Sequence, residues 1–108
     1  MRSTEAALAL VRFHVFCEGV LAIAGVFPGA SCTSWGRSPK HNATLPGEAP
    51  DSKHLVWCAV DLVWDLGSEP DRGFLVSVAR EYGISAQHQA ATAAGEHEHW
   101  HLELLTTI

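Results

Sequence analysis

The stretch AGEHEHWHLELL, residues 94 to 105, sets three histidines, His97, His99 and His101, around Glu98 and Trp100. Imidazole nitrogens bind divalent transition metals and a neighbouring carboxylate can take up a proton, so these residue types could support a metal centre with a general base. On a strand the three histidines share one face, and Glu98 and Trp100 share the other. In-line imidazoles on one face rarely converge at ~2 Å on a single ion without donors from elsewhere. Glu98 and His101 could reach one cavity across a bulge or bend. Spacing alone leaves these arrangements open.

Asp61 poses the complementary problem. It interrupts the apolar run HLVWCAVDLVWDL between Val60 and Leu62, where an unpaired carboxylate would cost several kcal/mol. It needs a cation, an exposed strand edge or a metal. His54 opens the same segment, seven residues before Asp61. An odd separation along a regular strand points two side chains to opposite faces, so sharing a metal requires a bend or places His54 on the preceding loop.

The elements that must position these groups can be read from period and punctuation. Over residues 4–20 the spacings Leu8, Val11, Val15 and Leu10, Phe13, Cys17 predict a helix packed against a sheet. Pro28 and Gly29 break it, and a short strand ending near Trp35 follows. Residues 36–53 hold three of the five prolines and predict a long loop. The segment around Asp61 predicts a mostly buried strand. SEPDRGFLVSVAREYG predicts a second helix, with Ser68 as N-cap, Pro70 and Asp71 in the first turn, an apolar side of Phe74, Val78 and Tyr82, and Gly83 at the C-terminal end. ISAQHQAA and HWHLELLTT alternate as strands. The order implies a small α+β domain, its antiparallel sheet flanked by helices.

Length and composition bound the function. A chain of 108 residues suits one core, so residues 1–108 are expected to form one domain, 1–30 a helical lead-in and 31–108 the motif-bearing part. A net charge of −5 offers no basic field for phosphates, which sets nucleic-acid binding aside. Cys17, Cys32 and Cys58 contain no C-x-x-C pair and are odd in number, favouring core thiols or a reducing compartment. Glu5, Arg12, His14 and Glu18 interrupt the apolar N-terminus, so no uncharged run approaches the ~20 residues of a membrane span and no Sec signal is expected. A soluble monomer is expected.

Three motifs, in order along residues 31–106, resemble the zinc D-alanyl-D-alanine peptidase family of peptidoglycan enzymes, which includes bacterial carboxypeptidases and the peptidase domains of many phage endolysins. SKHLVWCAVD is similar to the family's S-x-H-x-x-G-x-A-x-D, with Ser52, His54, Ala59 and Asp61 in register; EHWH matches E-x-W-H through Glu98, Trp100 and His101; and SWGRSPKHN matches an Arg-Ser pair through Arg37 and Ser38. Trp57 stands where the family usually has glycine, and Gly36 where an aromatic usually precedes the Arg-Ser pair, changes that bear on loop geometry and cleft width.

The resemblance implies a Hedgehog/DD-peptidase-like domain in which His54, Asp61 and His101 bind Zn2+ and leave a fourth position for water. It implies that zinc lowers the pKa of that water toward ~7, that Glu98 takes its proton, and that Arg37 holds a peptide carboxylate or the oxyanion. Ser52 is expected to orient the loop or substrate, Trp100 to pack beneath the ligands, and His97 and His99 to be ordinary strand-end side chains. The implied substrate is a peptidoglycan stem peptide or crosslink, cut as a carboxypeptidase or endopeptidase. Without a signal peptide the chain resembles a phage or prophage lysin, cytoplasmic until release to the cell wall or virion-associated. Two rivals remain: a non-catalytic zinc-stabilised module that binds wall peptide or a protein partner, and a histidine-rich metal binder in which His97 and His99 matter as much as His101.

Overall fold

A computed structural model describes residues 3–35, 58–93, 95 and 97–105. Helix α1 (Ser3–Val26) leads into β1 (Ala30–Ser34); β2 (Ala59–Trp64), α2 (Arg72–Glu81), β3 (Ile84–Gln89) and β4 (His99–Leu104) complete the described elements. The four strands form one antiparallel sheet in the order β1-β2-β4-β3. The fold is α+β. The last strand in sequence is therefore inserted between β2 and β3, which run in the same direction and are joined through α2. This insertion brings residues near 60 against residues near 100.

Alternation sorts the strand side chains onto two faces. Val60, Leu62 and Trp64 of β2, Trp100, Leu102 and Leu104 of β4, and Ile84 and Ala86 of β3 point to one side and are buried. Phe16, Val20 and Ile23 of α1, Phe27, and Leu75 and Ala79 of α2 join them in a single core. The Trp64 indole N–H donates to the Phe27 carbonyl at 2.8 Å, which satisfies a polar group that burial would otherwise penalise. Gly19 permits the close approach of α1 to the sheet: a Cβ there would lie 2.5 Å from Ile84 Cδ1.

Both helices differ from the sequence expectation in detail. α1 continues to Val26, the last turn before Pro28, and Phe27 N–H still donates to the Ile23 carbonyl at 2.9 Å. Its inward residues lie later than the early apolar spacings suggested, leaving Leu10 69% and Leu21 72% exposed. The helix is long and apolar enough to cross a bilayer by length and composition, with mean hydropathy 1.8, although its second half packs on the core.

The cap of α2 is Asp71, not Ser68. Asp71 is extended (φ −61°, ψ 128°) and its carboxylate accepts from Phe74 N–H at 2.9 Å, while Ser68 N–H closes a turn to the Asp65 carbonyl. Pro70 and Asp71 thus precede the helix. Its buried stripe is Leu75 and Ala79, one position beyond the expected Phe74, Val78 and Tyr82; Phe74 instead lies edge-on to Phe27 at the margin of the core. Gly83 follows the C-cap Tyr82 with φ +70°, the left-handed conformation that ends the helix.

The expected loop over residues 36–53, together with Gly36, Arg37, Ser38, Ser52, His54 and Trp57, lies outside the described residues.

Candidate metal centre

Asp61 escapes the core because β2 alternates. With Val60, Leu62 and Trp64 turned inward, Asp61 projects from the opposite face of the sheet. On β4 the same alternation turns His99, His101 and Glu103 to that face and buries Trp100, Leu102 and Leu104 behind it. Asp61 and His101 are direct cross-strand partners, flanked in register by Ser34 on β1 and Gln87 on β3. A row of four polar side chains therefore crosses the whole sheet.

Within this row Asp61 Oδ1 lies 2.9 Å from His101 Nδ1, and Glu103 Oε1 lies 3.2 Å from His101 Nε2. Asp61 thus meets the His101 imidazole across the sheet. Both side chains are largely covered, at 16% and 17% exposure, and Glu103 at 28%, so the contacts are screened less than surface pairs. His101 is raised above its ordinary pKa, first by the hydrogen bond with Asp61, against the opposing effect of burial, and further by the charges of Asp61 and Glu103. Beside Asp61, β1 carries an irregularity between Cys32 and Ser34, and the Thr33 hydroxyl donates to the Asp61 carbonyl at 3.3 Å.

Glu98 is not brought to this row. It precedes β4 on the Trp100 side of the strand, and its Oε1 lies 3.0 Å from His88 Nε2. His88, opposite Trp100 in the β3–β4 ladder, meets the Trp100 ring edge-on at 5.3 Å, and Arg72 Nη2 approaches the same His88 nitrogen at 3.5 Å. The His88 hydrogen bond, then the His88 and Arg72 charges, hold the Glu98 carboxyl below its ordinary value. These residues border a cavity of about 270 Å³ that also includes Trp64 and Glu69.

The structure thus joins Asp61 to His101 and separates Glu98 from both. No family model matches this chain, nor does any curated protein or solved structure. Arg37, Ser52 and His54 lie outside the described residues, and among the described residues no group of three His, Cys, Asp or Glu side chains is placed to hold a metal ion. His99 Nδ1 lies 2.8 Å from the His97 carbonyl, so these two histidines form a local backbone contact at the strand entrance. The three cysteines form no disulfide; Cys58 is buried and Cys32 exposed.

Two residues were missed from sequence. Glu103 was legible in principle, since it follows His101 by two along a strand and must share its face. His88 was not, because its meeting with Glu98 depends on the β3–β4 register.

Asp61 and His101 are donor types that zinc accepts, but a zinc site takes at least three protein donors and the described residues bring only these two together. Two donors at 2.0–2.1 Å from a tetrahedral ion stand about 3.3 Å apart. Asp61 Oδ1 and His101 Nδ1, 2.9 Å apart on fixed strands, need open by only a few tenths of an ångström.

Proposed function

We propose that the protein is a zinc-dependent peptidase of the Hedgehog/D-Ala-D-Ala peptidase fold, hydrolysing an amide bond of a peptidoglycan stem peptide or crosslink. One observation supports the reading: Asp61 and His101, forty residues apart in sequence and both implied as ligands by the resemblance, meet at 2.9 Å as register partners on the open face of the sheet. His54 would complete the set. These residues would hold zinc, which when bound would supply Lewis acidity toward an amide carbonyl and water.

The chain's own residues have separate tasks. Asp61 and His101 hold their donors in place because each is flanked along its strand by buried apolar residues, Val60 and Leu62 on one side and Trp100 and Leu102 on the other. Arg37 holds a carboxylate of the peptide through its planar fork, and Ser52 orients that segment. Glu98 takes one proton from water and returns it to the leaving nitrogen, so hydrolysis yields one carboxylate and one amine. For that role its carboxylate has to leave His88 and come round to the His101 side of β4.

That requirement favours a second reading. A module that keeps zinc for stability and binds wall peptide without cutting it needs no base beside His101, and Glu98 resting on His88 is compatible with it.

Zinc content and product analysis separate the two. The peptidase reading expects one zinc per chain, lost in His54→Ala, Asp61→Ala or His101→Ala, and cleavage of purified muropeptides that Glu98→Gln abolishes while retaining zinc. One bound zinc with no cleavage, by mass spectrometry of the muropeptides, would leave the binding module. A chain that takes no zinc would sink both.

A further inference from the structure

The cavity of about 270 Å³ lies at the end of the sheet where β2 and β3 finish and β4 begins, beside the start of α2. Trp64 and Trp100, each 6% exposed, and Pro70 give it apolar walls, while Arg72 and His88 bring nitrogen donors to it. Apolar walls with a few convergent polar groups are the composition of a small-molecule site, and this volume suits a ligand of about ten non-hydrogen atoms.

The donors decide the charge of that ligand. The Glu98 carboxylate accepts from His88 Nε2 at 3.0 Å, so in this contact Nε2 carries the proton. Arg72 Nη2, 3.5 Å from the same nitrogen, is also only a donor. The two are therefore not bonded to each other; they are donors gathered close enough for one carboxylate to accept from both. Among the described residues Arg72 forms no ion pair, although Glu69 and Glu98 border the same cavity. Glu69 is turned onto the Gly67 N–H at 2.9 Å. Glu98 is 63% exposed and comes from outside the ladder, so it can turn into water at little cost. Trp64 gives its indole N–H to the Phe27 carbonyl, whereas the indole N–H of Trp100 has no acceptor among the described residues, an exception to the pairing of buried polar groups.

We propose that this cavity binds a small carboxylate with an apolar body, and that Glu98 is its internal competitor. The ligand carboxylate accepts from His88 Nε2 and Arg72, its body lies against Trp64, Pro70 and Trp100, and the Glu98 side chain is displaced to solvent. The hydrogen bond from His88, with the charges of His88 and Arg72, already favours negative charge at that position. A cationic ligand would instead face Arg72. The site asks nothing of a metal and stands apart from the Asp61–His101 row.

The test titrates the full chain with phenylacetate, with phenylacetamide and 2-phenylethylamine as neutral and cationic counterparts, and reads nitrogen-15 spectra of the tryptophan indoles and the His88 ring. Phenylacetate is expected to shift the Trp100 and His88 signals saturably below about 10 mM, and the amide to bind about tenfold more weakly. Arg72→Gln should lose about tenfold in affinity for the acid and little for the amide, whereas Glu98→Ala should bind the acid about 3- to 10-fold more tightly. That gain is the signature of a competitor. Absence of a saturable shift overturns the inference, as does equal affinity for acid and amide. Weaker binding of the acid in Glu98→Ala, or preference for the amine, overturns it as well. Arg72 and Glu98 are exposed, so both variants are expected to fold, which circular dichroism checks. Arg72→Lys, which keeps the charge without the planar fork, should retain part of the affinity and replaces Arg72→Gln if that variant is unfolded.

Discussion

Two histidines on neighbouring strands each meet a carboxylate at hydrogen-bond distance: His101 with Asp61 at 2.9 Å and His88 with Glu98 at 3.0 Å. On distance alone they are equivalent. Their surroundings are not, because Asp61 is 16% exposed and Glu98 63%. The first pair is fixed by the backbone register of two strands and both its members are partly withdrawn from solvent; the second joins the equally covered His88, at 15% exposure, to a side chain outside the ladder that stays in high dielectric. Position relative to water, more than length of contact, decides which pair contributes to stability and which is a surface interaction. The faces also divide the labour of β4, whose one edge of alternation reads the core and the other the polar row.

The harshest way to break the comparison is to remove what both pairs share. Leu102 lies in β4, fully buried, between His101 and Glu103. Leu102→Ala is expected to cost about 2–5 kcal/mol by lost transfer energy and the cavity left behind. Denaturant unfolding should show this, and the His101 and His88 ring signals should both lose their native shifts. Retention of either pair would mean that the faces fold independently of their common strand.

Next in size is removal of one carboxylate from each pair. Asp61→Ala removes the hydrogen bond at His101 Nδ1 in a largely covered site and is expected to cost about 1–3 kcal/mol. Glu98→Ala removes a solvated partner and should shift the denaturation midpoint far less. Equal shifts in the two variants would abolish the distinction drawn from burial.

A smaller effect tests the α2 side alone. Asp71→Ala deletes the side-chain cap on Phe74 N–H and is expected to cost about 1 kcal/mol. Fraying there disturbs Arg72, the first residue of α2, which approaches His88. The His88 ring resonance should move while that of His101 stays, since the Asp61 pair is held by the register of β2 and β4.

The sequence expectations divide along the same line. Strand alternation alone placed His99 and His101 on one face with Trp100 on the other, and marked Asp61 as needing a partner; local period was enough because side-chain direction on a strand is fixed every second residue. What it could not supply was pairing. That Asp61 sits opposite His101 follows from β4 inserting between β2 and β3, a long-range choice set by core packing. Of the arrangements that spacing left open, the bulge or bend joining Glu98 to His101 is not found among the described residues: ladder pairing begins at His99 and keeps Glu98 on the Trp100 side. The helix cap moved from Ser68 to Asp71 for a local reason: the chain makes a turn at Asp65–Ser68, and the extended Asp71 after Pro70 supplies the carboxylate that meets Phe74 N–H.

The mildest test uses protons in place of mutations. The Glu98 carboxyl is held below its ordinary value of 4.5, first by the hydrogen bond from His88 and then by the charges of His88 and Arg72. A carboxyl with a depressed folded pKa binds fewer protons folded than unfolded, so it stabilises the fold above the unfolded value and loses that contribution as pH falls through the folded one. The parent and Glu98→Gln should therefore differ slightly in thermal midpoint near neutral pH, and the difference should close below about pH 4.5 and shrink with added salt. A difference that grows on acidification would mean that His88 draws its contact from something other than the ionised carboxylate. With a carboxylate this open to water the shift is small by physical necessity, and its smallness is the sharpest expression of how the His88 side of β4 differs from the His101 side.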